Sequence, residues 1–168
     1  MNNLNVFNTH WCPWKYPSNW IKNSRLFFRQ FKWAYQRVTR GFCDFDVWDL
    51  DTYLSQLLSQ SIEHLAKTSH SYPGTEEFPT YESWEAYLME IVNKLKYSLN
   101  ELPNEYEEAW MKTWDSKGFI KNSNQRTPEE EEITTKYLNK ETENSIKQRD
   151  AQNEALKMIY HVYNHLWD

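Results

Sequence analysis

Between Arg37 and Asp51 the chain passes from a segment bearing only positive charge to one bearing only negative charge, and the change falls at Gly41. A glycine just past the last residue of a helical apolar pattern suits the left-handed position that ends a helix. The aspartates beyond it suit the cap of the next helix, because a short carboxylate accepts from the free amides of a first turn. The stretch therefore reads as helix stop, turn and helix start. Asp44 or Asp46 is expected to cap the second helix, with Asp49 able to reach back if Asp46 does so. Arg37 and Arg40 stand where they can pair with these aspartates across the turn.

Helical spacing continues on both sides of this corner. Phe27, Phe28, Phe31, Ala34, Tyr35 and Val38 recur at three- and four-residue steps, which predicts an amphipathic helix over about 24–40. Val47, Leu50, Leu54, Leu57, Leu58, Ile62 and Leu65 predict a core helix from Asp46 to about Thr68. After the loop signalled by Tyr72-Pro73-Gly74, Thr80 is an expected N-cap for a third helix running to about Leu99. Pro103 separates it from a short fourth helix over about 104–115, with Tyr106, Ala109, Trp110 and Trp114 inward. Thr127-Pro128-Glu129-Glu130 then carries a cap, a first-position proline and a third-position glutamate. A long helix is expected from there to about Leu166, its polar first half projecting or frayed and its second half packed.

Only 3 glycines and 6 prolines punctuate the 168 residues, too few for the turns of a sandwich or barrel. The expected fold is all-α: one domain over 1–168, a bundle of four to five helices whose core comes from the helices near 25–40, 46–68, 81–99 and 152–166. An extended aromatic arm is expected over 1–20, where Trp11, Trp14 and Tyr16 surround Pro13 and Pro17. A polar loop and a projecting helix segment are expected over 118–150. The two cysteines, Cys12 and Cys43, are too few for a disulfide scaffold. The N-terminus lacks the pattern of a signal peptide, and no apolar run reaches ~20 residues, so no membrane partner is expected.

Each candidate site also has a plain structural role. Arg25, Arg29 and Lys32 form a basic stripe that continues to Arg37 and Arg40, and Phe28, Trp33 and Tyr35 could stack bases beside it. Neutralisation by the nearby aspartates and by the glutamates of the third helix is the competing reading, and net charge is −5. Gly41, Asp44, Asp46, Trp48 and Asp49 read as a structural corner; an EF-hand loop would need further oxygen ligands and a central glycine, and Trp48 and Leu50 occupy the intervening positions. His161 and His165 have the spacing of two imidazoles on one helical face but lack an evident third ligand, so they are weak metal candidates. Cys43 is expected to be a poor thiolate beside Asp44. No nucleophile elbow or phosphate-cradling loop is present, and no catalytic residue or cofactor is assigned.

The motif Arg40-Gly41-Phe42-x-Asp44-x-Asp46-Val47-Trp48-x-Leu50-Asp51, with Ser71-Tyr72-Pro73, the Trp84 helix and the terminal Leu166-Trp167-Asp168, resembles a family of small uncharacterised proteins encoded in tailed-bacteriophage genomes. The resemblance covers about Lys32 to Leu99, with an echo at the C-terminus. It implies a phage protein of the bacterial host cytoplasm, and it carries over no catalytic residue. The expectation is a non-enzymatic accessory protein that binds a protein, either a host factor or a second copy of itself. A nucleic-acid-binding protein using the basic helix and a metal-dependent enzyme are the alternatives.

Overall fold

The computed structural model describes residues 24–114, 120, 122 and 125–167, with the side chains of all of these except 24–27 and 30. The arm expected over 1–20, with Cys12, and the loop glycine Gly118 lie outside the described residues. Among the described residues five α-helices follow in order: α1 (Ser24–Arg40), α2 (Leu50–Thr68), α3 (Tyr81–Leu99), α4 (Glu107–Met111) and α5 (Pro128–Val162), the last running into a 3-10 turn at Tyr163–His165. No strand occurs among the described residues, and the fold is an all-α bundle.

α3 is the centre of the core. Its Trp84, Leu88, Ile91, Val92 and Leu95 are buried, a spacing of i, i+4, i+7, i+8 and i+11 that keeps them on one face. They meet Ile62 and Ala66 of α2 and Ala155, Ile159 and Val162 of α5, with Phe78 closing one end from the preceding loop. The Phe78 ring lies edge-on to Trp84 and Tyr87 at centroid distances of 5.0 and 4.9 Å. At ~25 cal/mol per Å², burying one indole of roughly 200 Å² supplies about 5 kcal/mol, so Trp84 anchors this cluster. Thr80 caps α3 in a reciprocal box with Ser83. Thr127 and Glu130 form the same box at the start of α5, with Pro128 in its first turn, as the sequence predicts.

Several expectations give way. First, none of the described side chains of α1 belongs to the core cluster. Tyr35 and Val38, on its apolar stripe, are 70% and 72% exposed, and only Ala34 among its described side chains is buried. Second, α2 begins at Leu50 rather than near Asp46, because residues 44–49 form turns. Its buried face consists of Ser55, Ser59, Ile62 and Ala66, while Val47, Leu50, Leu54 and Leu57 are exposed. Leu58 and Leu65 pack against the edge of the core, so only part of the expected leucine stripe faces inward. Third, α4 is one short turn rather than a helix over 104–115. Fourth, the packed half of α5 buries Ala155, Ile159 and Val162 but leaves Leu156, Tyr160 and Tyr163 exposed. The α-helix also ends at Val162, short of Leu166.

The first half of α5 is held rather than projecting. Trp110 stacks on Tyr137 at 4.0 Å with the rings 5° from parallel, and Trp114 meets Trp110 edge-on. Asn104 donates through Nδ2 to the Tyr137 carbonyl (3.2 Å) and to Glu141 (2.7 Å), and Asn144 donates to the Pro103 carbonyl (3.2 Å). Polar residues thus tie residues 103–114 to a helix face with few apolar anchors. Ion pairs also cross the bundle. Lys94 reaches Glu154 on α5 at 2.7 Å, and Glu63 on α2 joins Lys67 and Lys96. Lys67, followed by Lys96, holds the Glu63 carboxyl down at about 2.

Candidate functional site

The corner after α1 gathers most of the residues that the sequence singles out. α1 ends as Gly41 takes a φ of 83°, and its amide donates to the Arg37 carbonyl at 3.0 Å. That left-handed step is open to glycine at no steric cost. It folds residues 42–49 back along the charged edge of α1.

Two aspartates receive that edge. Asp44 accepts from Lys32 Nζ at 2.8 Å and Gln36 Nε2 at 2.9 Å through one oxygen, and from Arg40 Nη2 at 2.5 Å through the other. Gln36 also accepts from the Asp44 amide at 3.0 Å. Lys32, with Gln36 and Arg40 behind it, holds the Asp44 carboxyl well below the usual carboxylate range. Asp46 is deeper: its side chain and that of Arg37 are 3% and 9% exposed. The Arg37 guanidinium grips it with two nitrogens, Nε at 2.9 Å and Nη2 beside it, and the Cys43 amide donates to it at 2.7 Å. Burial pushes the Asp46 carboxyl up, but the Arg37 and Cys43 hydrogen bonds more than reverse this, so it lies below its ordinary value. The bond to Asp46 likewise raises Arg37. Tyr53 of α2 closes the corner by donating to the Gly41 carbonyl at 2.5 Å.

The expected pairing of Arg37 and Arg40 with aspartates is therefore present. The expected capping is not: Asp44 and Asp46 face α1, and Asp49 occupies the N-cap of α2 without a side-chain cap bond. A charge-assisted bond to a buried guanidinium outweighs one to an exposed amide, so the arginine takes the carboxylate. The partners of the basic edge are these aspartates, not the α3 glutamates. Trp48, expected within the structural corner, is 87% exposed and adds nothing to it through burial. Cys43 is completely buried, and its thiol is pushed up by burial first, not by Asp44 as the sequence reading supposed.

For nucleic acid, this arrangement removes most of what the sequence offered. Lys32, Arg37 and Arg40 are neutralised, and Arg29 lies over the Trp33 ring at 5.7 Å from its centroid. Trp33 also packs against Phe45 at 5.3 Å, so its ring is engaged within the corner. The side chain of Arg25 lies outside the described residues. Gln36 and Tyr53 are the site residues that sequence reasoning missed. Gln36 had a signal, since it lies one turn from both Lys32 and Arg40 on the same helical edge.

The histidines are not brought together as a metal pair. His161 bonds Glu77 at 2.8 Å, while His165 belongs to the 3-10 turn beyond the α5 end, where the α-helical spacing of the two rings no longer holds. Among the described residues no group of three His, Cys, Asp or Glu converges as a metal site. No helix among them is long and apolar enough to cross a membrane.

The pairing fixes the charged edge of α1 to the turn that follows it, and Phe28, Phe31, Tyr35 and Val38 of its apolar stripe are each more than half exposed, with Phe28 and Phe31 making further contacts. No family model matches the chain, and no curated protein or solved structure matches it either.

Proposed function

We propose that this chain is a non-enzymatic bacteriophage accessory protein that acts in the host cytoplasm by binding another protein through the outer face of α1. One observation carries the reading: α1 is pinned by ion pairs to the turn that follows it, while Tyr35 and Val38 of its apolar stripe are exposed. Surface helices of a lone globule normally do the reverse, and an exposed apolar stripe of this kind marks a protein–protein contact. The phage assignment rests on the resemblance of the corner motif, and the host cytoplasm follows from that assignment.

Internal neutralisation of Lys32, Arg37 and Arg40 supports a protein partner over a nucleic acid, which draws most of its affinity from unpaired cations at phosphates. The test is affinity capture from infected host lysate, with and without nuclease, using the wild type and Val38→Glu. A protein partner survives nuclease and is lost with Val38→Glu. Recovery that vanishes with nuclease, or with charge reversal of Arg29 and Lys32, supports the nucleic-acid reading instead.

A further inference from the structure

α2 has an apolar face directed away from the bundle. Its buried positions, Ser55, Ser59, Ile62 and Ala66, turn toward α3 and α5, where Ile62 and Ala66 join the core and Ser55 meets Gln152. At about 100° per residue, Leu50, Leu54 and Leu57 lie about 140° round the helix from that side. They are 45%, 43% and 41% exposed, although they sit at i, i+4 and i+7 of a regular helix. In the turn just before the Asp49 cap, Val47 and Trp48 are 52% and 87% exposed. An indole so placed leaves on the order of 130–220 Å² open to solvent, and tryptophan is among the side chains that dominate protein interfaces.

Charge at the start of this face is unbalanced. Lys32 and Arg40 take Asp44, and Arg37 takes Asp46. The carboxylates of Asp49 and Asp51 have neither an ion pair nor a hydrogen bond, and both residues are exposed. Lys67, the only lysine or arginine of α2, is engaged by Glu63. The leucines are thus bordered by two open carboxylates and by no open ammonium or guanidinium of their own helix.

We propose that the outer face of α2 docks a basic amphipathic helix of a partner protein. Apolar anchors of that helix at i, i+4 and i+7 meet Leu50, Leu54 and Leu57, its lysines or arginines reach Asp49 and Asp51, and Trp48 covers its end. This surface is additional to the α1 face proposed above. A second copy of the chain is the poorer occupant on charge. Antiparallel pairing about Leu54 would join Leu50 to Leu57 of the other copy, but it brings Asp49 and Asp51 only to residues 53–63, none of which is lysine or arginine. Parallel pairing sets the four carboxylates together. A cationic helix supplies what both arrangements lack.

The probe is a synthetic leucine–lysine helix of about 18 residues, five turns, with a control peptide in which glutamate replaces every lysine. Calorimetric titration of the full chain should show one-to-one binding of the lysine peptide that weakens as salt rises, and no binding of the glutamate peptide. Leu54→Glu and Trp48→Ala should each weaken binding about tenfold or more, with unchanged far-UV circular dichroism because both positions are exposed. Asp49→Asn combined with Asp51→Asn should weaken it severalfold and flatten its salt dependence. Val38→Glu on α1 should leave it unchanged. Failure of the lysine peptide to bind overturns the proposal, as does equal binding of the two peptides or binding that survives both Leu54→Glu and Trp48→Ala. Loss through Val38→Glu moves the site to α1 and overturns it too. A wild type that light scattering finds at twice the chain mass, and that Leu54→Glu returns to the chain mass, makes a second copy the occupant and overturns it as well.

Discussion

The buried Arg37–Asp46 pair makes a quantitative claim about how α1 is held. Asp46→Asn keeps the shape and an acceptor for the Cys43 amide but removes the charge that Arg37 faces with two nitrogens. Removing one partner of a buried pair costs about 3–5 kcal/mol, because the remaining charge loses the carboxylate that offset its desolvation. The Arg37 side chain is only 9% exposed, so water replaces little of the loss while α1 stays in place. The cheaper response is for α1 to lift off. At about 1.4 kcal/mol per tenfold, the population of the lifted state rises about 140- to 4,000-fold, up to the point where α1 is fully released. Hydrogen exchange resolves this directly. Amides of residues 34–40 should exchange faster by that factor, while those of α3 and the second half of α5 keep wild-type protection. The double variant Arg37→Met, Asp46→Leu should recover much of the protection, since replacing both partners by apolar groups is often near neutral. Unchanged exchange in α1 would refute the reasoning, and so would an equal loss of protection in the α3 core.

Acid should open the same corner. Asp44 and Asp46 have folded values below their unfolded value of about 3.9, so their contribution is present above that pH and lost as pH falls through the folded values. In a Cys12→Ser background, dithiodipyridine should reach Cys43 increasingly below about pH 4 while the far-UV signal of the bundle persists; a Cys43 that stays protected until the bundle melts contradicts this. The buried Ser59 hydroxyl has no hydrogen-bond partner, so Ser59→Ala should raise stability by about 1 kcal/mol and Tm by about 2–4 °C, and a fall in Tm on calorimetry counts against it. Asn104→Ala removes donors to Tyr137 and Glu141 and the acceptor for the Tyr106 amide. Urea unfolding should show a loss of about 1–3 kcal/mol, and no change would mean that residues 103–114 are not held by this side chain.

The elements that sequence made legible are those decided within a few residues. Thr80, Thr127 with Glu130, and the left-handed Gly41 act through neighbours in the chain, and each stands where its pattern placed it. What escaped was decided by competition at a distance. Asp46 had two suitors, the first turn of a helix and Arg37 nine residues back, and spacing alone does not say which wins. The apolar stripe of α1 was evident, but periodicity reports that a face is apolar and not what covers it. In α2 the same rule misled, because Ser55 and Ser59 took inside positions. Gln152 of α5 bonding the Ser55 hydroxyl at 2.8 Å is a contact across most of the chain that no local pattern encodes.

The length of α5 has a practical consequence. Thirty-five residues of α-helix extend about 52 Å, whereas a sphere enclosing 168 residues is about 40 Å across. The helix therefore overruns any spherical outline of the chain, and friction in solution will exceed that of a globe of equal mass. On a calibrated gel column such a body elutes early and mimics a larger assembly. Elution volume is thus a poor judge of stoichiometry for this molecule, and mass itself, from scattered light or sedimentation equilibrium, is the quantity to read.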